Sequence, residues 1–200
     1  MNFSMRSAAL FACLMLPVVA PGHVAAQATQ RPAPLPRDVL PDSAKDFDFE
    51  IGTWHTRVAR RLRPLTGSTE WAQYEGRSVV RRIGEGPANV VELDVQGPAG
   101  RIQGLSLRLY NPQARQWSLH YSNNASGTLT PPVIGGFRDG RGEFHGHDTL
   151  ADGRTVLVRF VISCATQDEC DFEQAFSADG GRTWEVNWIA TDTRIGESKR

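Results

Sequence analysis

The stretch Ile51-Gly52-Thr53-Trp54-His55-Thr56-Arg57-Val58 is where the chain changes character. Before it, residues 29–45 carry Pro32, Pro34, Pro36 and Pro41, and read as an extended lead-in with no core of its own. From Glu50 onward apolar and polar residues alternate with a period of two, broken by Gly, Pro, Asn and Asp. Successive side chains of a strand point to opposite faces, so this alternation is a strand signature. It predicts strands near 52–62, 70–83, 88–96, 101–110, 115–122, 132–138, 141–149, 154–164, 171–177 and 182–193. The segments between them, among them Leu65-Thr66-Gly67, Asn111-Pro112, Asp139-Gly140, Asp152-Gly153 and Asp179-Gly180-Gly181, have the backbone preferences of hairpin turns.

Many strands at regular spacing, with no capped helical period after residue 50, predict an all-β sandwich or barrel. No internal repeat is visible, which argues against a propeller or solenoid. A meander this long leaves two unpaired edges unless it closes on itself. The expectation is therefore an antiparallel up-and-down barrel of about 8–10 strands, preferred over an open sandwich.

Ile51-Gly52-Thr53-Trp54 then gains a second meaning. It resembles the Gly-x-Trp opening of calycins, the barrels that include lipocalins, fatty-acid-binding proteins and nitrobindin-like proteins. The resemblance implies that Gly52 and Trp54 close one barrel end and that a cationic residue of the last strand packs over the Trp. Trp184, Val186, Trp188, Ala190, Asp192 and Arg194 fall on one face of that strand by alternation, so Arg194 is the candidate. Such a cation–π contact is worth roughly 0.5–2 kcal/mol. Phe47 to Trp54 and Ala175 to Trp188 together resemble a group of uncharacterised bacterial proteins over about residues 46–194. That similarity implies the barrel and lends no activity.

The N-terminal segment reads as an address. Met1 to Arg6 carries one positive charge, Ser7 to Ala20 is almost wholly apolar, and Ala26-Gln27-Ala28 fits a signal-peptidase site. The expected layout is a signal peptide over 1–28, the lead-in over 29–45, one barrel domain over 46–196 and a tail over 197–200. The apolar run is too short and too proline-broken to span a membrane, so no membrane span is expected after cleavage. The expected location is the periplasm or the exterior. In such an oxidising compartment Cys164 and Cys170 are expected to form a structural disulfide. The whole chain balances 22 Lys+Arg against 22 Asp+Glu, which gives no electrostatic reason to expect a nucleic-acid partner.

The motifs that carry chemistry are few. Ser177-Ala178-Asp179-Gly180-Gly181-Arg182-Thr183-Trp184 matches the Asp-box pattern familiar from sialidase propellers. A single copy reads as a hairpin stabiliser, with Asp179 accepting turn N–H bonds and Trp184 anchoring the hairpin in the core. His145 and His147 share a face opposite Phe144, and face solvent if Phe144 points inward. Otherwise they line the interior and could bind a metal with Glu143. Nitrobindin-like barrels hold haem through a late histidine, and none follows His147, so no haem or other cofactor and no metal is expected. No nucleophile motif is present. Asp46, Asp48 and Glu50 read as solvated acids at a barrel rim.

A barrel of this strand number can enclose one small ligand. The candidate ligand-binding residues are Trp71, Arg77, Arg108, Tyr110, Trp117, Tyr121 and Trp188, aromatic or charged positions on strands. If the face of Trp71, Glu75, Arg77 and Val79 is inward, its charges must be paired or must meet a ligand. The best-supported expectation is an exported barrel that binds a hydrophobic or amphipathic small molecule. The alternatives are a non-catalytic envelope or interaction protein, and an enzyme with a His/acid site at the barrel mouth.

Overall fold

The computed structural model describes residues 42–196. The expected leader over 1–28, residues 29–41 of the lead-in and the tail over 197–200 lie outside the described residues.

Ten antiparallel strands follow one another: β1 (Gly52–Arg61), β2 (Trp71–Arg82), β3 (Ala88–Gly97), β4 (Gly100–Asn111), β5 (Gln116–Asn123), β6 (Val133–Arg138), β7 (Arg141–Thr149), β8 (Thr155–Thr166), β9 (Glu169–Ser177) and β10 (Glu185–Gly196). Each pairs with its sequence neighbour, and β10 pairs back onto β1, so the sheet closes as an up-and-down barrel with the calycin-like arrangement. Closure satisfies the backbone groups that an open meander would leave bare. The hairpins carry the chemistry their sequences announce. Asp139 and Gly140 both take positive φ (52° and 77°) between Arg138 and Arg141, the two-residue turn whose twist matches that of the strands it joins.

The barrel is plugged at the end where β1 begins and β10 finishes. Two 3-10 turns, Asp42–Lys45 and Asp48–Glu50, lie there. Phe47 between them is fully buried, with its ring centroid 5.0 Å from both Trp117 and Phe137 and 5.8 Å from Phe144. Residues 42–45, expected to be extended, are instead part of the plug. Trp117 Nε1 donates to the Ser43 carbonyl at 2.8 Å, the Ser43 and Tyr110 hydroxyls lie 2.6 Å apart, and Ala44 is buried.

Trp54 and Arg194 meet across the closing seam, as the Gly-x-Trp opening implied. They are register partners, and the guanidinium sits 4.1 Å above the indole centroid. Trp54 Nε1 donates to the Glu50 carbonyl at 2.7 Å, and Arg194 Nη1 donates to the Ile51 carbonyl at 3.0 Å. Arg194 also reaches the Gln167 carbonyl and the Asp168 carboxylate of the β8–β9 turn. One side chain thus ties the plug, the seam and that turn together. The Cys164–Cys170 disulfide joins the two strands beside the turn.

The last strand departs from simple alternation. A bulge between Val186 and Trp188 shifts the register, so Trp188 pairs with Gln174 while Val186 pairs with Ala175. Trp184 and Val186 therefore do not share the inner face of Trp188, Ala190 and Asp192. Trp184 is not a core anchor: it lies half-buried on the outer wall, under the Arg159 guanidinium at 4.9 Å and 6.0 Å from the His145 ring. The Asp box does hold its turn. Asp179 accepts from the Thr183 hydroxyl at 2.7 Å and from the Arg182 and Thr183 amides at 3.0 Å. These bonds, that of the Thr183 hydroxyl foremost, bring its carboxyl down to about 2. Because this turn occupies 179–184, β10 begins at Glu185 and not near 182.

Strand curvature leaves no room for some side chains. A Cβ on Gly76 would stand 2.1 Å from the Asp94 carbonyl oxygen and 2.8 Å from Val95 Cα, both rigid backbone of β3. Gly76→Ala is expected to destabilise the barrel by about 3 kcal/mol, through forced separation of β2 from β3. A urea unfolding midpoint measures this, and an unshifted midpoint contradicts it.

Candidate functional site

Above the plug the barrel is hollow. The cavity holds about 760 Å³, within the size range of small-molecule sites. Inward residues of the strands give it apolar walls, Val58, Val91, Leu119, Val158, Phe160, Phe172, Phe176, Trp188 and Ala190, with Tyr121 among them; Arg60, Arg61, Arg101, His120, His147 and Asp148 line it as well. Burial raises the Tyr121 phenol above its ordinary value.

The floor is polar, which is unusual for so enclosed a place. Glu50, Thr56, Ser78, Arg108 and Asp192 all line it, and each is almost completely buried. Glu50 arrives on the second 3-10 turn, directly before the chain enters β1. Both terminal nitrogens of Arg108 bond to its carboxylate, Nη2 to Oε1 at 3.0 Å and Nη1 to Oε2. The same guanidinium lies 4.4 Å over the Phe47 ring, so the plug holds the pair from below. The Thr56 and Ser78 hydroxyls are 2.7 Å apart. Burial pushes the Asp192 carboxyl up to about 7; the Thr56 hydrogen bond opposes this, the neighbouring Glu50 charge adds to it and the Arg108 charge opposes it.

Several buried polar atoms here have no hydrogen-bond partner among the described residues: Asp192 Oδ1, Arg108 Nε and Asn187 Nδ2, all from residues lining the cavity, and Asn89 Oδ1 beside Arg108 on the neighbouring strand. A buried polar atom without a partner costs about 1–3 kcal/mol, so a concentration of them around one cavity calls for an explanation. Nearer the mouth Gln174 Nε2 donates to Asn187 Oδ1 at 3.0 Å.

Of the seven candidate ligand-binding residues, Arg108, Tyr121 and Trp188 line the cavity. Tyr110 and Trp117 are buried in the plug, 5.4 Å apart, below the floor. Trp71 and Arg77 face outward. The inner row of β2 is Ala72, Tyr74, Gly76, Ser78 and Val80, so the condition of an inward Glu75–Arg77 row is not met, and Trp71 and Arg77 do not line the cavity. Trp71 is covered instead by the Arg61 guanidinium at 4.8 Å on the outer wall, and Glu75 pairs with His55 at 2.8 Å.

Two further readings change. Glu50 is not a solvated rim acid but the buried partner of Arg108, whereas Asp48 is exposed and pairs with Arg82 at 2.8 Å. Phe144 points inward and His145 outward, where His145 bonds to Glu143 at 2.9 Å. The Arg141 hydrogen bond, with help from His145, holds the Glu143 carboxyl below its ordinary value. The pairs His55–Glu75 and His145–Glu143 thus sit on the outer wall, on β1–β2 and on β7, whereas His120, His147 and Asp148 line the cavity. Among the described residues no three His, Cys, Asp or Glu side chains gather to hold a metal ion.

Sequence reasoning missed Glu50, Thr56, Ser78, Asn187 and Asp192. A signal existed for one: Arg108 on a strand whose alternate residues include Tyr110 demands a buried acid somewhere.

No family model matches this chain, and no curated protein matches it. Solved structures do. The S-type phycobiliprotein lyase CPES from Guillardia theta is similar at 14% identity, over 76% of this chain and 92% of its own, with a TM-score of 0.53. EF1p2_mFAP2b, solved bound to DFHBI, aligns at 8% identity over 76% of this chain and 99% of its own, with a TM-score of 0.43. At these identities the likeness to the lyase is one of fold, and it agrees with the closed barrel described above.

Proposed function

We propose that this protein is an exported barrel that binds one amphipathic small molecule, polar end deepest. The observation that carries this reading is a cavity of about 760 Å³ with apolar walls and a floor of buried polar groups short of partners. A folded chain that needed those groups for stability alone would pair them or replace them with apolar residues. Apolar walls supply affinity through burial, at about 25 cal/mol per Å² removed from water. The floor supplies orientation. Export is supported by the leader pattern of residues 1–28 and by the Cys164–Cys170 disulfide.

The test uses a neutral fluorescent dye, Nile red, and a variant that fills the hollow. Ala190 is buried and lines the cavity. Wild type is expected to bind the dye saturably at one site, with quenching of tryptophan emission from Trp188. Ala190→Phe, checked for a native circular dichroism spectrum, is expected to weaken binding about tenfold or more. Equal binding by both proteins, or no saturable binding by wild type, contradicts the reading.

A further inference from the structure

We infer that the cavity floor is built to receive a protonated amine, held by Asp192. This rests on the cavity being a binding site, as proposed above.

The charges at the floor do not balance. Three ionisable side chains meet there, and all are buried: Glu50, Arg108 and Asp192. Arg108 directs both terminal nitrogens to Glu50. Asp192 is in none of the ion pairs among the described residues, and its Oδ1 has no hydrogen-bond partner among them. The other groups facing it bring no cation. From β1 comes the Thr56 hydroxyl, from β9 its register partner Cys170, which is held in the disulfide, and from the plug Glu50 itself. Two carboxylates thus share one guanidinium in a site removed from water, where an unpaired charge is costly.

A ligand ammonium supplies the missing charge and gives Asp192 Oδ1 a donor. A neutral hydroxyl supplies the donor and not the charge. A carboxylate would add a third negative group. The walls suit the rest of such a ligand, since Phe160, Phe172 and Trp188 accept an apolar or aromatic body. The protonation behaviour follows from the same deficit. With the Arg108 guanidinium hydrogen-bonded to Glu50, the Asp192 carboxyl is held up at about 7, chiefly by burial. A bound ammonium favours the carboxylate, so amine binding displaces a proton to solvent near neutral pH. Amine affinity therefore falls toward tenfold per pH unit below about 7 and levels off above it.

Three matched probes separate the possibilities: 1-naphthylmethylamine, 1-naphthalenemethanol and 1-naphthoate, titrated calorimetrically into the full chain at pH 6, 7 and 8 in buffers of different ionisation enthalpy. At pH 8 the amine is expected to bind about tenfold more tightly than the alcohol, with the acid weakest. At pH 6 its advantage is expected to disappear, and at pH 7 its binding is expected to release a fraction of a proton. Asp192→Asn is expected to abolish both the amine's preference over the alcohol and the proton release. If wild type binds amine and alcohol equally, or if Asp192→Asn keeps the preference, the amine inference falls and the cavity stands. If none of the three binds, the cavity reading falls and takes this inference with it.

Discussion

Glu50→Gln is expected to cost the barrel about 3–5 kcal/mol. The substitution leaves the Arg108 guanidinium buried and pinned above the Phe47 ring without its hydrogen-bonded carboxylate, with only the neighbouring Asp192, itself buried, to offset its charge. Breaking one partner of a buried pair costs far more than the pair contributes, because the remaining charge has lost its hydration and its counter-ion together. The double replacement Glu50→Leu with Arg108→Met removes both charges and keeps most of the volume. It is expected to fall within about 1–2 kcal/mol of wild type. Chemical denaturation of wild type, Glu50→Leu, Arg108→Met and the double variant gives the coupling directly. A Glu50→Gln protein as stable as wild type would mean that Glu50 is solvated, and the plug would need redrawing.

Asp192→Asn is expected to reshape the dependence of stability on pH. The folded carboxyl holds its proton to about 7, whereas an unperturbed Asp releases it near 3.8. Between those values the native state binds more protons than the unfolded chain, so stability falls as pH rises. The stabilisation is complete below the unfolded value and is lost as pH climbs through the folded one. Holding the proton over that whole window is worth about 4 kcal/mol. Carboxyls held low in the fold, such as Asp179 at about 2, produce the opposite slope at lower pH, so wild type alone would mix the two. The difference between wild type and Asp192→Asn isolates the one group. Wild type should lose stability relative to the variant from pH 4 to pH 7, and parallel curves would show that Asp192 ionises normally.

The outline of this fold was legible because alternation is a local property. Val156, Val158, Phe160 and Ile162 mark one face of β8 without any knowledge of its neighbours, and Asp139-Gly140 states its own turn. The seam was legible as well, since Trp54 and Arg194 carry the Gly-x-Trp pattern at the two ends of the barrel. What alternation cannot give is which of two faces points inward when both look mixed. On β2 the inner row of Ala72, Tyr74, Gly76 and Ser78 is smaller and hardly more apolar than the outer row of Trp71, Gln73, Glu75 and Arg77. Curvature decided it, through the room that Gly76 leaves for β3.

The bulge at Val186 and Trp188 was illegible for a related reason. The sequence alternates straight through it, and the shift exists because β9 and the Asp-box turn fix the strand's start. The floor shows the same limit. Arg108 was singled out as a binding residue, but its partner Glu50 lies 58 residues away on the plug, and no spacing rule connects them. A buried ion pair is a property of closure, and closure brings together residues that the sequence keeps apart.

Every functional proposal for this chain depends on a hollow barrel that carries a small molecule. Native mass spectrometry of the protein, purified from its own source without organic solvent, tests this most directly. The predicted result is a mass above that of the polypeptide by one small organic molecule, released intact on activation and absent from Ala190→Phe prepared the same way. A bare polypeptide mass from gentle preparations of wild type, together with no uptake of naphthylmethylamine, would show that the interior is not a binding site.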